Sequence, residues 1–159
     1  MEFVHIAGWE ISMAISSATF ISDTVLFIRD LLRSNITDPL SRTDGIGFVM
    51  TAFPKRQTQY PLITVRNTNI DTTKLGMQSE QHWTTLELEV QLFARNAKES
   101  DELTDSIIAV LRTNQYGTGS TDVEEIHGFI VSSIVPIVEV DGDNTVHRKV
   151  LTVVYKVII

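Results

Sequence analysis

The sequence predicts an α+β fold, with a mostly antiparallel sheet, two helices packed on one face of that sheet, and a β-hairpin at the C-terminus. The first supporting observation is that residues 82–95 alternate apolar and polar side chains with the period of a half-buried strand. A stripe of apolar residues with helical spacing follows this strand directly. Near the end of the chain, two β-rich runs flank a short turn. Helices and antiparallel strands in this order are typical of the α+β class.

The length and composition fit one domain. The chain has 159 residues, 43% of them hydrophobic, and a formal net charge of −7. We therefore assign residues 1–22 to an N-terminal arm and residues 23–159 to a single α+β domain. The 13 basic residues are scattered, which argues against binding of nucleic acid through neutralised phosphates. Because the chain has no cysteine, disulfides, thiolate metal sites and cysteine nucleophiles are excluded.

In the first third of the chain, the sequence pattern predicts one helix and two short strands. The arm over residues 1–22 has to bury Trp9, either on its own domain or on a neighbouring subunit. A helix is predicted over residues 24–34, and strand-like runs cover residues 46–53 and 61–67. The inward face of the helix is formed by Val25, Ile28, Leu31 and Leu32.

Residues 67–81 show no usable periodicity and are rich in Asn, Thr, Asp and Gln. We expect a long mobile loop here. Loops of this length are uncommon in compact domains unless they are functional, so the segment is a candidate contact element. Its large apolar residues are Ile70, Leu75 and Met77.

The central strand and helix are predicted to bury each other. One face of the strand is formed by Leu86, Leu88, Val90 and Leu92, and the stripe of the helix by Leu103, Ile107, Val110 and Leu111. Asn96 is suited to accept a hydrogen bond from a free N–H of the first helical turn. Glu99, three residues later, is suited to reach back in the manner of a capping box.

In the last part of the chain, the sequence pattern predicts a loop and a hairpin. Residues 113–121 form a glycine-containing loop around Tyr116, and strands over residues 128–141 and 145–159 flank a turn at Asp141-Gly-Asp-Asn144. The last strand is apolar on both faces near its end, so it either lies in the centre of the sheet with both faces covered or needs a partner subunit. One layer of two helices covers only one face. We therefore expect the other face to be closed, at least in part, by another copy or another protein.

No catalytic or metal-binding constellation is found in the sequence. The histidines lie in four separate elements without the spacing of metal ligands, and no G-x-S-x-G elbow is present. The turn at residues 141–144 resembles the start of a calcium loop, but a strand replaces the remaining ligand positions. We expect no enzyme activity, catalytic residue, cofactor or metal. The apolar window over residues 11–28 contains Asp23 and several Ser and Thr residues, so no membrane span is expected.

Three segments resemble a known family in sequence and order. They are Ile28-Arg-Asp-Leu-Leu32 in the first helix, the strand Tyr60-Pro-Leu-Ile-Thr-Val65, and the helix from Lys98 to Ile108 after an alternating strand. The pattern, which covers residues 23–111, resembles the tail terminator or tail completion proteins of long-tailed bacteriophages and related viruses.

This resemblance implies a structural virion protein of the tail-neck region that is assembled in the host cytoplasm. It implies a homo-oligomer, a ring of six copies, that caps the tail tube protein, stops tube polymerisation and offers a joining surface to the head-completion or connector protein. DNA would pass through the lumen without specific binding, which suits an acidic protein. The residues that we expect at a partner interface are Leu75, Met77, Tyr116 and Trp9.

Two other functions compete with this one. Another neck component, such as a head-completion or stopper protein, would also be small, acidic and ring-forming. A cellular α+β ligand-binding module would instead require an apolar pocket with convergent polar groups, which the sequence does not offer.

Overall fold

The computed structural model describes residues 19–43, 46–54, 58–77, 81–114, 126–141 and 144–158. These residues form two helices and five strands. In chain order the elements are α1 (Phe20–Asn35), β1 (Val49–Met50), β2 (Leu62–Lys74), β3 (His82–Ala94), α2 (Ala97–Thr113), β4 (Ile126–Asp141) and β5 (Asn144–Ile158). The predicted α+β class and the hairpin of the last two strands are confirmed.

The strands form one sheet in the order β1-β2-β3-β5-β4. The short β1 runs parallel to β2, and the other neighbouring strands are antiparallel. Because β5 lies between β3 and β4 and is antiparallel to both, β3 and β4 run in the same direction. Helix α2 therefore connects the end of β3 to the start of a strand two positions away in the sheet.

Both helices pack on one face of the sheet, as predicted. Ile28 and Leu32 of α1 and Ile107 and Leu111 of α2 are completely buried in a single apolar cluster. The strand residues of this cluster are Val49, Ile63, Val65, Leu86, Leu88, Val90, Leu92, Leu151, Val153 and Tyr155. Burial of side chains of this size stabilises the fold by roughly 1.5–3 kcal/mol each, so this face holds the main core.

The predicted start of α2 is confirmed, with one change in its hydrogen bonds. Asn96 is the N-cap, and its side chain accepts a hydrogen bond from the Glu99 N–H at 2.8 Å. The Glu99 carboxylate accepts from the N–H of Arg95, at 2.9 Å, one residue before the cap. The guanidinium of Arg95 also donates to Glu99, and this hydrogen bond holds the pKa of the Glu99 carboxyl below its ordinary value.

Helix α1 begins at Phe20, four residues before the predicted start, so the last three residues of the predicted arm are helical. At its other end, Arg33 donates from Nε to the carbonyl oxygen of Val49 at 2.8 Å. This bond ties the last turn of α1 to β1.

The predicted strand over residues 46–53 is wrong except at Val49–Met50, where the chain pairs with β2. The predicted mobile loop over residues 67–81 is also wrong for most of its length, because β2 continues to Lys74. Asn69 to Lys74 pair in register with β3, beyond a bulge between Asn67 and Asn69. Backbone hydrogen bonds to β3 hold these polar residues extended without burial, so no apolar alternation marks them.

The central position predicted as one alternative for the last strand is confirmed, because β5 lies inside the sheet between β3 and β4. The cover on both faces that this alternative included is complete only on the side of the helices. Its side chains Leu151, Val153 and Tyr155 are buried under the helices. On the opposite face, Val150 and Val154 are half-buried.

Candidate interaction surface

The second half of β2 lies outside the area that the helices cover. Residues Leu62 to Val65 are buried, whereas residues 66–74 are exposed apart from half-buried Asn67. Pairing with β3 nevertheless continues to the end of the hairpin, where Lys74 faces His82 and the Leu75 N–H donates to the Gln81 carbonyl oxygen at 3.1 Å. The second half of β2 is therefore paired with β3 but little buried.

Two of the four predicted interface residues lie at the end of this hairpin, which we term the hairpin tip (Leu75, Gly76 and Met77). The side chain of Met77 is 98% exposed and that of Leu75 is 47% exposed. Exposed large apolar side chains grouped in one place are typical of a contact surface. Methionine is suited to this use because its flexible, polarisable side chain adapts to a partner surface.

Cross-strand contacts stiffen the hairpin that carries the tip. Arg66 donates to Glu89 from two nitrogens, at 2.9 and 2.7 Å. Nearer the tip, the hydroxyls of Thr72 and Thr84 lie 3.3 Å apart. Pairs of this kind contribute roughly 0.2–1 kcal/mol each to a sheet, so the tip is presented on a defined support.

The other two predicted interface residues, Trp9 and Tyr116, lie outside the described residues. The segment that contains Tyr116 joins α2 to β4, and β4 begins at Ile126, which pairs with Val157 of β5. Since Ile158 pairs with Trp83 near the start of β3, this entry to β4 lies at the same end of the sheet as the hairpin tip.

The face of the sheet away from the helices is covered only at one end by the described residues. There Leu62, Phe93 and Val146 form a small second core under Met50 and Tyr60. The ring of Phe53 packs edge-on against Phe93, with centroids 4.9 Å apart. Arg148 lies over Phe93 and donates to Gln91 at 3.0 Å and to Glu139 at 2.7 Å.

Beyond this small core, the same face carries half-buried Glu87, Glu89, Thr152 and Val154. These side chains are mixed in polarity and partly open to solvent. The predicted partner for this face stays a prediction.

A buried ion pair that the sequence analysis did not single out organises the connection between α1 and β2. The Arg42 guanidinium donates to both carboxylate oxygens of Asp38, at 2.7 and 2.8 Å, and to the carbonyl oxygens of Gly47 and Pro61. Burial alone would raise the pKa of Asp38, but hydrogen bonds from Arg42 and from the N–H of Leu40 outweigh it and lower that pKa. The i, i+4 spacing of Asp38 and Arg42 was the available sign, but such spacings are frequent.

Two open cavities lie beside the start of α2. The larger has a volume of about 410 Å³ and is bordered by Pro39, Asn96, Glu99 and Leu103. The smaller, about 140 Å³, lies between α2 and the β4–β5 hairpin, next to Ser100, Pro136 and Val138.

Within the described ranges, no three His, Cys, Asp or Glu residues are grouped so that they could hold a metal ion. Neither helix in this part of the chain has the length and apolar character needed to cross a bilayer.

The fold and surface define the class as an α+β protein with a five-stranded sheet, helices on one face, and an apolar hairpin tip. Comparison with models of known protein families gives no match, and no curated protein matches the chain.

Proposed function

We propose that this protein is a structural virion protein, a tail terminator that caps the tail tube as a ring, stops its polymerisation and provides the surface for joining the head. It acts without enzyme activity, cofactor or metal. Its partners are further copies of itself, in a ring of six, the tail tube protein, and a head-completion or connector protein. Its place is the neck of the virion.

The observation that carries this proposal is the hairpin tip. An apolar side chain that is 98% exposed, as Met77 is, contributes nothing to the core of its own domain and is suited to contact with another protein. The paired strands β2 and β3 hold this tip in place, so docking requires little ordering of the chain. The tail tube is named as the partner because residues 23–111 resemble the terminator pattern.

The mechanism is capping through shape. A subunit that contacts the last ring of the tube, and lacks a surface on which another tube subunit can add, ends growth without a chemical step. The net charge of −7 disfavours retention of DNA as it passes through the ring.

The first test is electron microscopy of lysates in which the gene for this protein has been deleted. Tails of abnormal length, separate from DNA-filled heads, are the expected result. Tails of normal length beside heads that have lost DNA would assign the protein to head completion. Normal particles would overturn the virion function and favour a cellular ligand-binding module.

A second test addresses the tip directly with the double variant Leu75→Asp, Met77→Asp. Both side chains are exposed, so the melting temperature should stay within a few degrees of wild type, while complementation of the deletion should be lost.

The matched control is Leu40→Asp, an apolar side chain that is 38% exposed and lies near the Arg42 contacts, at the other end of β2. This variant should complement normally. If the double variant at the tip complements as well as Leu40→Asp does, the tip has no part in docking.

A further inference from the structure

The outer edge of β4 is long, apolar and open. β4 ends the sheet, and no strand in the described part of the chain pairs with its outer side. Its large exposed side chains are Ile130 (60%), Ile134 (42%), Val135 (49%), Val138 (65%) and Val140 (76%). They come from both faces of the strand, because Ile134 and Val135 are adjacent.

Edge strands of this kind are normally protected against pairing by charged side chains, by proline or by bulges. Between Ile130 and Val140 the only charged residue is Glu139, and its carboxylate already accepts from Arg148. Pro136 removes one N–H near the middle, and a bulge lies between Val131 and Ser133. No described strand covers the remaining length of β4 on this side.

The opposite edge of the sheet is open as well. In the described structure β1 pairs only with Ile63 and Thr64, so residues 66–74 of β2 have no neighbour on their outer side. Two exposed apolar side chains flank β1, Ile46 at 60% and Phe53 at 45%. Among the described residues the sheet therefore has two open edges, and the one at β4 is the more apolar.

The two open edges overlap along the strand direction. Val49, Ile63, Leu92, Lys149 and Pro136 lie in one row across the sheet. The next row joins Met50 through Thr64, Gln91 and Val150 to Val135. β1 is thus level with Val135 and Pro136 of β4.

A second row of paired residues shows how the remaining parts of the two edges are aligned. It runs from Arg66 through Glu89 and Thr152 to Ser133. The start of β4 is thus level with the open half of β2.

The strand directions also match. β2 is antiparallel to β3, whereas β4 runs in the same direction as β3. In a cyclic ring whose axis runs along the strands, all copies keep the same strand direction. β4 of one copy would then meet β2 of the next in the antiparallel sense, which is the more stable pairing.

We propose that the subunits join head to tail through these edges, with β4 of one copy pairing with the β1–β2 edge of the next. This interface rests on the ring of the proposed function and specifies how that ring is held together. Head-to-tail contacts of this kind close into rings when the rotation closes.

A two-fold pairing of β4 with a second β4 is the competing arrangement. It would leave the β1–β2 edge open in both copies and, if centred on the strand, would place two Pro136 residues near the axis, where an N–H is missing.

The decisive experiment is cross-linking of a double variant, Ser133→Cys with Asn69→Cys, using a short bis-maleimide. The chain has no cysteine of its own, so the introduced thiols alone react. Both positions are exposed and lie on the face away from the helices. The expected product is a ladder of covalent oligomers up to the size of the ring, with no ladder from either single variant.

Dimers from Ser133→Cys alone would overturn the proposal in favour of the two-fold pairing. A wild-type protein that stays monomeric in light scattering, or an oligomer that gives no ladder, would overturn it too. The interface and the function fail separately. If the double variant gives a ladder but deletion of the gene leaves the particles normal, the interface stands and the terminator function is overturned. If there is no ladder but the deletion gives tails of abnormal length, the terminator function stands and the interface is overturned.

A charge variant supplies an independent readout. Val138→Lys with Val140→Lys should abolish the oligomer in light scattering, with the melting temperature of the monomer unchanged, because lysine blocks edge pairing. The control is Ile21→Lys, an apolar residue of α1 that is 38% exposed. An oligomer that survives the lysines on β4 would contradict the interface.

Discussion

Arg42 illustrates how much one side chain determines in a connection without secondary structure. Its guanidinium joins Asp38, just after α1, to the carbonyl oxygens of Gly47 and Pro61 before β1 and β2. The two charged side chains are 14% and 7% exposed. Loss of one partner would leave the other charge buried without compensation.

We expect Arg42→Ala to lower the free energy of unfolding by about 3–5 kcal/mol, the usual range for breaking a buried pair. Chemical denaturation measures this directly. Arg66→Ala is the control, because it removes an equally short contact with Glu89 from a side chain that is 56% exposed. Its cost should stay below about 1 kcal/mol, and equal costs for the two variants would contradict the role given to burial.

The same ion pair predicts a pH dependence. The pKa of Asp38 is lower in the folded chain than its ordinary value, so the unfolded state binds the proton more readily. The carboxylate therefore stabilises the fold above about pH 4, the ordinary pKa of aspartate. This contribution is lost as the pH falls through the lowered pKa of the folded state.

Denaturation of wild type and Asp38→Asn from pH 7 to pH 2 tests this expectation. The difference in stability between the two proteins should be constant at neutral pH and shrink in acid. A difference that grows in acid would reverse the sign of the shift.

At the scale of elements, the strand β3 and the helix α2 were predictable because each is amphipathic with its own period. Leu86, Leu88 and Val90 are buried as the alternation predicts, and so are Leu103, Ile107 and Leu111 of the helical stripe. Local capping chemistry also gave the start of α2 at Asn96.

The hydrogen bond at this cap supports a further prediction. Asn96→Ala should destabilise the protein by about 1 kcal/mol, since the Glu99 N–H loses its acceptor. Asn96→Asp keeps an acceptor oxygen next to the positive end of the helix dipole and should restore the stability. Thermal and chemical unfolding of the two variants give the comparison. If alanine and aspartate behave alike, the cap contributes nothing.

The second half of β2 was not predictable in this way. Residues such as Thr68, Asn69 and Thr73 are exposed, so their strand conformation comes from pairing with β3 and leaves no apolar pattern in the sequence. The exposure of Leu75 and Met77 was anticipated from their isolation in a polar stretch. The open edge of β4 was not anticipated, because the position of a strand within a sheet depends on long-range pairing.

At the scale of the whole molecule, the strand order determines how well the backbone amides of each strand are protected from hydrogen exchange. β3 and β5 have strands on both sides, whereas β4 has only β5 as a partner in the described structure. Amide protons should therefore exchange slowest in β3 and β5, and the outward-facing amides of β4 should exchange fast in the monomer.

Hydrogen exchange at low and high protein concentration tests this difference in protection together with the proposed interface. The outward amides of β4 should become protected when the ring forms, and those of Leu88 to Leu92 in β3 should not change. Protection of β4 that is the same at every concentration would contradict the interface.

The position of β5 has a consequence for the order in which the protein takes shape during synthesis. β5 is the last described strand to be made, yet it lies between β3 and β4. The β2–β3 hairpin and α2 depend on local contacts and are able to form while the chain is still on the ribosome. Among the described strands, β4 gains a neighbour only when β5 has been made, so its apolar edge is exposed on both sides during that interval. We therefore expect the yield of soluble subunits to rise with the rate at which β5 inserts between β3 and β4.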